Sequence, residues 1–190
     1  MTTLSDAIKG TNGRAPDAVL DPSGSRVSMS NEHYMIHQSN MWEFSIVSRA
    51  LAHNGLVLVQ IQTGPKAMHL KELRVWGDAA EASFELIETP TLTTGTTAIT
   101  MPNLNRNDGA AAPAGVTMFS DPTVISAGTE LMNRLFGAGA GVGQTAFAGM
   151  DKTDRERVLK ASTRYLIRVK NLEANARNFS VDGAFYLNVD

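Results

Sequence analysis

The chain has 190 residues and a mass of 20.4 kDa, is 43% apolar, contains no cysteine, and carries 17 Lys and Arg against 19 Asp and Glu for a net charge of −2. These figures exclude disulfide staples, thiolate catalysis and cysteine-based zinc sites, and they leave no global field to hold a nucleic acid or an anionic membrane. The length predicts one soluble domain, or one domain with a tail, whose core needs no staple; no apolar run reaches the roughly 18 residues of a membrane helix, and no secretory signal opens the chain.

Residues 1–30 are poor in large apolar side chains. Gly10-Thr-Asn-Gly-Arg-Ala-Pro16 and Asp21-Pro-Ser-Gly24 are turn and linker chemistry, and Thr2–Lys9 offers one or two helical turns at most. This part is expected to be an extended or flexible N-terminal arm, either a plain tail or a segment that orders on a partner. From Asn31 onward the texture is that of short strands. His33-Tyr-Met-Ile-His37 is read as a strand or the lead into one. Trp42–Ser48 alternates with apolar residues at 42, 44 and 46. Beyond the turn at His53-Asn-Gly55 come Leu56–Gln62, Met68–Trp76 and Ala82–Glu88, each closed by Gly, Pro or Asn. In Ala82–Glu88, Phe84 and Leu86 are expected to face inward and Glu85 outward.

The middle is rich in loops, with short strands expected at Ala98–Met101, Val116–Phe119, within Asp121–Gly128, and at Glu130–Phe136. Gly137-Ala-Gly-Ala-Gly-Val-Gly143, continuing to Gly149, reads as the most flexible stretch. Between Asp151 and Arg177 helix competes with strand. Thr153 with Glu156 resembles a capping box, but the alternation of Tyr165, Ile167 and Val169 against Arg164, Arg168 and Lys170 is that of a strand. A short strand at Arg157–Lys160 is favoured. Phe179–Val189 closes the chain as a strand, with Gly183 as a plausible bulge.

Nine or ten short strands with turns every 8–12 residues predict an all-β protein. The expected form is an antiparallel jelly-roll β-sandwich over 31–190, with two sheets of about four strands each, preceded by the arm over 1–30.

His33 and His37 stand four apart, a spacing that ligates zinc on a helix, but Glu32 precedes the first histidine and no third ligand has an obvious place. Glycine at every second residue in 137–143 departs from the dinucleotide fingerprint, and Gln144-Thr145 replaces the Lys-Ser/Thr of a phosphate loop. There is no Gly-x-Ser-x-Gly elbow. Carboxylate pairs such as Asp151/Asp154 and Glu85/Glu88 sit on segments expected to be exposed. Charge is uneven: Asp78 to Glu88 holds four acids and no base, while Lys152 to Arg177 holds eight bases against three acids. These are read as solvated faces of facing strands that partly compensate one another, or as a patch for an acidic protein surface; nucleic-acid binding lacks the aromatic interleaving that stacks bases. Trp42 and Trp76 both read as core strand residues. No catalytic, cofactor-binding or metal-ligating residue is assigned, and no cofactor is expected.

Three stretches carry a resemblance to a family. They are His33-Tyr-Met-Ile-His-Gln-Ser-Asn-Met-Trp-Glu-Phe44; Phe84-Glu-Leu-Ile-Glu-Thr-Pro-Thr-Leu-Thr-Thr-Gly95 with Asn103-Leu-Asn-Arg-Asn107; and Val158-Leu-Lys-Ala-Ser-Thr-Arg-Tyr-Leu-Ile-Arg-Val-Lys-Asn171 with a closing aromatic strand at Ala184–Val189. Over about residues 31–190 the chain resembles virion structural proteins of tailed bacteriophages, of the capsid decoration (cement) or head-fibre-base type with a jelly-roll domain. The resemblance implies a non-enzymatic homo-oligomer, trimer or dimer, that is made in the host bacterial cytoplasm and binds the major capsid protein on the virion exterior, with no nucleic acid and no membrane as partner. The alternative from the same setting is a tail or receptor-binding component that holds a host surface glycan, for which Trp42 and Trp76 are the candidate stacking platforms.

Overall fold

The computed structural model describes residues 18–20, 26–28, 31–79, 81–107, 113–136, 146–150 and 156–187. Within these residues the regular structure is antiparallel strand apart from one short helix. The elements are β1 (Ala18–Leu20), β2 (Arg26–Ser28), α1 (Asn31–His37), β3 (Met41–Leu51), β4 (Leu56–Gln62), β5 (Met68–Gly77), β6 (Ala82–Glu88), β7 (Thr91–Leu92), β8 (Thr97–Ala98) and β9 (Thr117–Ser120). They continue as β10 (Val124–Ser126), β11 (Thr129–Phe136), β12 (Ala146–Met150), β13 (Arg157–Leu159), β14 (Arg164–Asn171) and β15 (Arg177–Leu187). One sheet has the order β11-β6-β14-β4-β9-β8 and the other β12-β5-β15-β3, with β13 also paired to β5. Two short pairs, β1 with β2 and β7 with β10, stand outside these sheets.

Followed along the chain, the strands cross from one sheet to the other at almost every step: β3, β5, β12/β13 and β15 build one sheet, and β4, β6, β11 and β14 build the other. The four-strand orders β3-β15-β5-β12 and β4-β14-β6-β11 are those of a jelly-roll sandwich. The alternation read from sequence drives this arrangement. Trp42 and Phe44 are buried while Glu43 and Ser45 are exposed. Val57, Val59 and Ile61 of β4, Phe84 and Leu86 of β6, Tyr165, Ile167 and Val169 of β14, and Phe179, Val181 and Phe185 of β15 meet in one core between the sheets. Fully burying a side chain of this size is worth about 1.5–3 kcal/mol. Gly183 lies opposite Phe44 in the β15–β3 register. A Cβ there would come within 2.4 Å of the Phe44 ring, so the bare backbone lets the ring fill the core.

Several expectations change. His33–His37 is a helix, because its carbonyls are taken up locally: Gln38 N–H donates to Tyr34 O (3.0 Å) and Asn40 N–H to Met35 O (3.0 Å). Ser39, at φ 55°, then turns the chain into β3. The helix seats Met35 with Met41, Ala184 and Tyr186, and half-buried Tyr34, Ile36 and Leu104 pack around them. The two sheets are larger than four strands each, since β8, β9 and β13 add to them. The strand expected at Ala98–Met101 ends at Ala98. Part of the glycine-rich stretch, Ala146–Met150, pairs with β5, whereas residues 137–145 lie outside the described ones, as do Thr2–Lys9. Glu156 leads into a strand and uses its carboxylate elsewhere than in a capping box. The bulge expected at Gly183 falls between Ala184 and Phe185 in the β15–β5 register. Within residues 1–30, β1 and β2 pair with each other.

Candidate functional site

The bulge shapes the outer face of the five-stranded sheet. Ala184 pairs with Glu72 and Phe185 with Leu70, so Lys71 is the extra residue of β5. Leu70 and Leu73 both point into the core, and the two residues between them, Lys71 and Glu72, remain outside it. This places two polar groups on one face. The first gathers around Glu156, just before β13. Its Oε1 lies 2.9 Å from His69 Nδ1, its Oε2 accepts from Lys71 Nζ at 3.4 Å, and the Tyr186 hydroxyl is 3.0 Å from both oxygens. The His69 ring stacks on Tyr186 with centroids 4.5 Å apart. Partial burial works to raise the Glu156 pKa, but the hydrogen bonds from His69, Tyr186 and Lys71 prevail and hold it below the ordinary value.

The second group lines a groove of about 360 Å³ along β3, β15 and β5. In register across the strands, Glu43, Ala184 and Glu72 form one row, Ser45, Asp182 and Arg74 the next, and Val47, Ser180 and Trp76 a third. Asp182 is held from both sides: Ser45 Oγ donates to Oδ1 at 2.5 Å and Ser180 Oγ to Oδ2 at 3.3 Å. Glu72 contacts the Arg74 guanidinium as an ion pair. The contact is made by the buried Oε1 of Glu72 itself. Trp76 is 39% exposed in the third row, whereas Trp42 is 6% exposed and stacks on Phe185 in the core. The expectation that both tryptophans belong to the core therefore fails for Trp76. Strand alternation from Val75, which is fully buried, could have revealed it.

His33 and His37 stack in parallel on α1, with ring centroids 4.8 Å apart and planes 6° from parallel. They border a cavity of about 600 Å³ together with Leu104 and Arg106. The Asn103–Asn107 run that closes it is a ladder of side-chain turns: Asn103 Oδ1 accepts from Asn105 N–H at 2.7 Å, and Asn105 Oδ1 from Asn107 N–H at 3.3 Å. Asn103 Nδ2 also donates to Ser39 O at 2.6 Å, tying the loop to the end of α1. Among the described residues no group of three His, Asp or Glu side chains is placed to hold a metal ion.

The uneven charge resolves into facing strands. β6 pairs with β14, and Glu85 stands directly opposite Arg168, whose Nε donates to Glu85 Oε2 at 2.8 Å. Lys160 Nζ reaches Glu88 Oε2 at 3.0 Å, and Arg177 Nε reaches Glu173 Oε2 at 2.8 Å. Arg157 and Arg164 donate instead to the carbonyls of Leu131 and Leu92, each at 3.2 Å. The Tyr165 hydroxyl joins the Glu88 pair, donating to Oε1 at 2.9 Å and accepting from Lys160 N–H at 2.8 Å. The bonds from Lys160 and Tyr165 hold the Glu88 carboxyl low. Burial, offset in part by the Lys160 N–H and reinforced by Glu88, pushes the Tyr165 phenol up to about 12. Lys152, Arg155, Asp151 and Asp154 lie outside the described residues, and among the described residues no helix is long and apolar enough to cross a membrane. Comparison with known proteins finds no family model, no curated protein and no solved structure that matches the chain.

Proposed function

We propose that this chain is a structural virion protein that binds the exterior of an assembled bacteriophage capsid and stabilises it, acting as a homo-oligomer on the major capsid protein. The observation that carries this reading is the adjacency of the resembling stretches within a jelly roll. Asn103–Asn107 of the second stretch is bonded to Ser39 of the first, Asn103 bridges Trp42, and Leu104 N–H donates to Met41 O at 2.9 Å. Phe84–Glu88 of the second pairs along β14 of the third, and the closing strand lies against β3 of the first. The quoted residues thus belong to one packed unit rather than to scattered surface matches.

The physical logic of a cement protein suits such a unit. Modest contacts repeated by particle symmetry add through avidity and need no deep pocket. Residues 1–30 supply a further segment that can lie across a neighbouring subunit and bury area in proportion to its length. The test is co-sedimentation of the full chain and of a chain lacking residues 1–30 with purified capsids. The full chain is expected in the particle fraction at a fixed copy number, with attachment weakened by the deletion. A full chain that stays in the supernatant would overturn the reading.

A further inference from the structure

We propose that the open edge of β3, from Ser45 to Arg49, binds the same edge of a second copy of this chain. The two strands pair antiparallel about a two-fold axis at Val47, so that the five-stranded sheets of both copies run on into one another. This names the interface of the homo-oligomer proposed above and rests on that part of the reading.

β3 lies at the end of its sheet. It pairs with β15 on one side, and among the described residues no strand pairs with it on the other. That other side is closed only at its start, where Glu43 N–H donates to Pro102 O at 3.0 Å and Met41 O accepts from Leu104 N–H at 2.9 Å. Main-chain groups alternate from side to side along a strand, so Ser45 and Val47 turn the same way as Met41 and Glu43. Their N–H and C=O groups therefore stand on the open edge. At the far end the β15–β3 register breaks, and Arg49 and Ala50 stand opposite Asn178 alone. Ala50 sits there at φ 54°, and such a break bends the strand. The open window thus runs from Ser45 to Arg49, with Val47 at its middle.

Edges left in water are commonly blunted by shortness, Lys or Pro. β8, at the end of the other sheet, is two residues long, whereas β3 has eleven residues with neither Lys nor Pro. The window also leaves apolar surface on both faces: Val47 is 62% exposed outside, and Ile46 is only half-buried against the core. A two-fold axis at Val47 sets Val47 against Val47, Ser45 against Arg49 and Ile46 against Ser48. The contact is isologous, and the facing main-chain groups give about six new hydrogen bonds. Charge agrees with this register. Arg49 is exposed on the outer face. Opposite Ser45 it joins the row that holds Asp182, diagonal to Glu43 of the other copy. Moving the axis toward Ser45 would drive the second strand into Pro102, which already takes the Glu43 N–H. So short a strand pair is a small interface, which makes the dimer reversible, with a Kd of about 10–500 μM.

The experiment is sedimentation equilibrium of the full-length protein at concentrations up to about 1 mM, where a small interface is populated. A reversible monomer–dimer equilibrium is expected. Val47→Pro removes an N–H that faces away from β15, and Val47→Glu sets two carboxylates opposite each other across the axis. Each is expected to weaken dimerisation roughly tenfold or more while keeping the circular dichroism of the parent. Leu135→Ser, at a 71% exposed position on β11, is expected to dimerise as the parent does. Because the chain contains no cysteine, single replacements report the register. Val47→Cys places the two Cα atoms about 5.5 Å apart and is expected to give disulfide-linked dimers on mild oxidation, faster than Ser45→Cys. The proposal is overturned if the full chain stays monomeric or forms a trimer, or if both Val47 variants dimerise like the parent. It is equally overturned if Ser45→Cys links faster than Val47→Cys, or if dimers appear only once residues 1–30 are removed, which would assign this edge to that segment. Capsid co-sedimentation of the same preparations separates the two readings. A dimer that stays off the capsid counts against the capsid reading alone, and a monomer that attaches counts against this proposal alone.

Discussion

The two outer faces of the sandwich are finished in opposite ways. On the six-stranded sheet, the β7–β10 pair brings Leu92 and Val124 onto Ile87 and Leu166, with Leu58 beside them, making a second small core outside the first. The charges next to it cancel strand against strand, as in Glu85 with Arg168. On the five-stranded sheet, α1 seals one end through Met35 and Met41, while beyond it lie a groove lined by Glu72, Arg74 and Asp182 and the partly exposed Trp76. One face is covered by a second core, and the other leaves a groove between paired polar side chains. A protein that must be both durable and adhesive can divide those tasks between its two sheets, because the core between them isolates one face from the other.

The largest effect that would test this division is on packing. Leu166→Ala, fully buried under β7 and β10, is expected to destabilise by about 2–5 kcal/mol in chemical denaturation. Val47→Ala, 62% exposed on the opposite outer face, should stay within about 0.5 kcal/mol. Comparable losses from the two substitutions would break the comparison. Next comes the alkaline limb. The Tyr165 pKa is raised in the folded state, so its contribution is complete below pH 10 and is lost as pH climbs toward 12. Tyr165→Phe should remove a pH-dependent loss on the order of 2 kcal/mol across that window, read from melting temperature against pH.

On the acid side the sign reverses. Glu156 is held below its ordinary value of 4.5, so its contribution is present above that value and is lost as pH falls beneath it. Glu156→Gln should flatten the acid limb by about 1 kcal/mol or less, since the group is partly exposed and screened. An unchanged acid limb would mean that the His69–Tyr186–Lys71 cluster adds nothing to the joint between β13 and β5. The smallest effect concerns salt. With Glu85, Glu88 and Glu173 already occupied by Arg168, Lys160 and Arg177, capsid attachment is expected to vary little with ionic strength. A steep loss between low and physiological salt would show that uncancelled charge from this region meets the partner.

Strand alternation made most of the sandwich legible. β4 and β6 lie at the expected residues, and β14 and β15 within two of them, because one face of each is apolar. His33–His37 reads as strand yet lies in the helix Asn31–His37, because so short a run has no period to separate the two and packing on Met41 and Tyr186 decides the matter. The β5 bulge left a trace, since Leu70 and Leu73 are three apart where alternation requires two. The groove itself was illegible, because its rows join β3, β5 and β15, strands separated by up to 137 positions in the Ser45–Asp182 contact. The cancellation of acid by base was visible as facing charge runs, but the pairing of β6 with β14 was needed to assign each partner.

The place of β15, between β3 and β5, has a consequence for how the protein comes into being. β15 begins at Arg177, 100 residues after β5 ends at Gly77 (177 − 77), so β3 and β5 are both made well before the strand that lies between them. At ordinary translation rates that interval lasts about 5–20 s, and during it the edges of β3 and β5 that face each other lack their neighbour. A chain interrupted before Arg177 lacks the strand that joins the two.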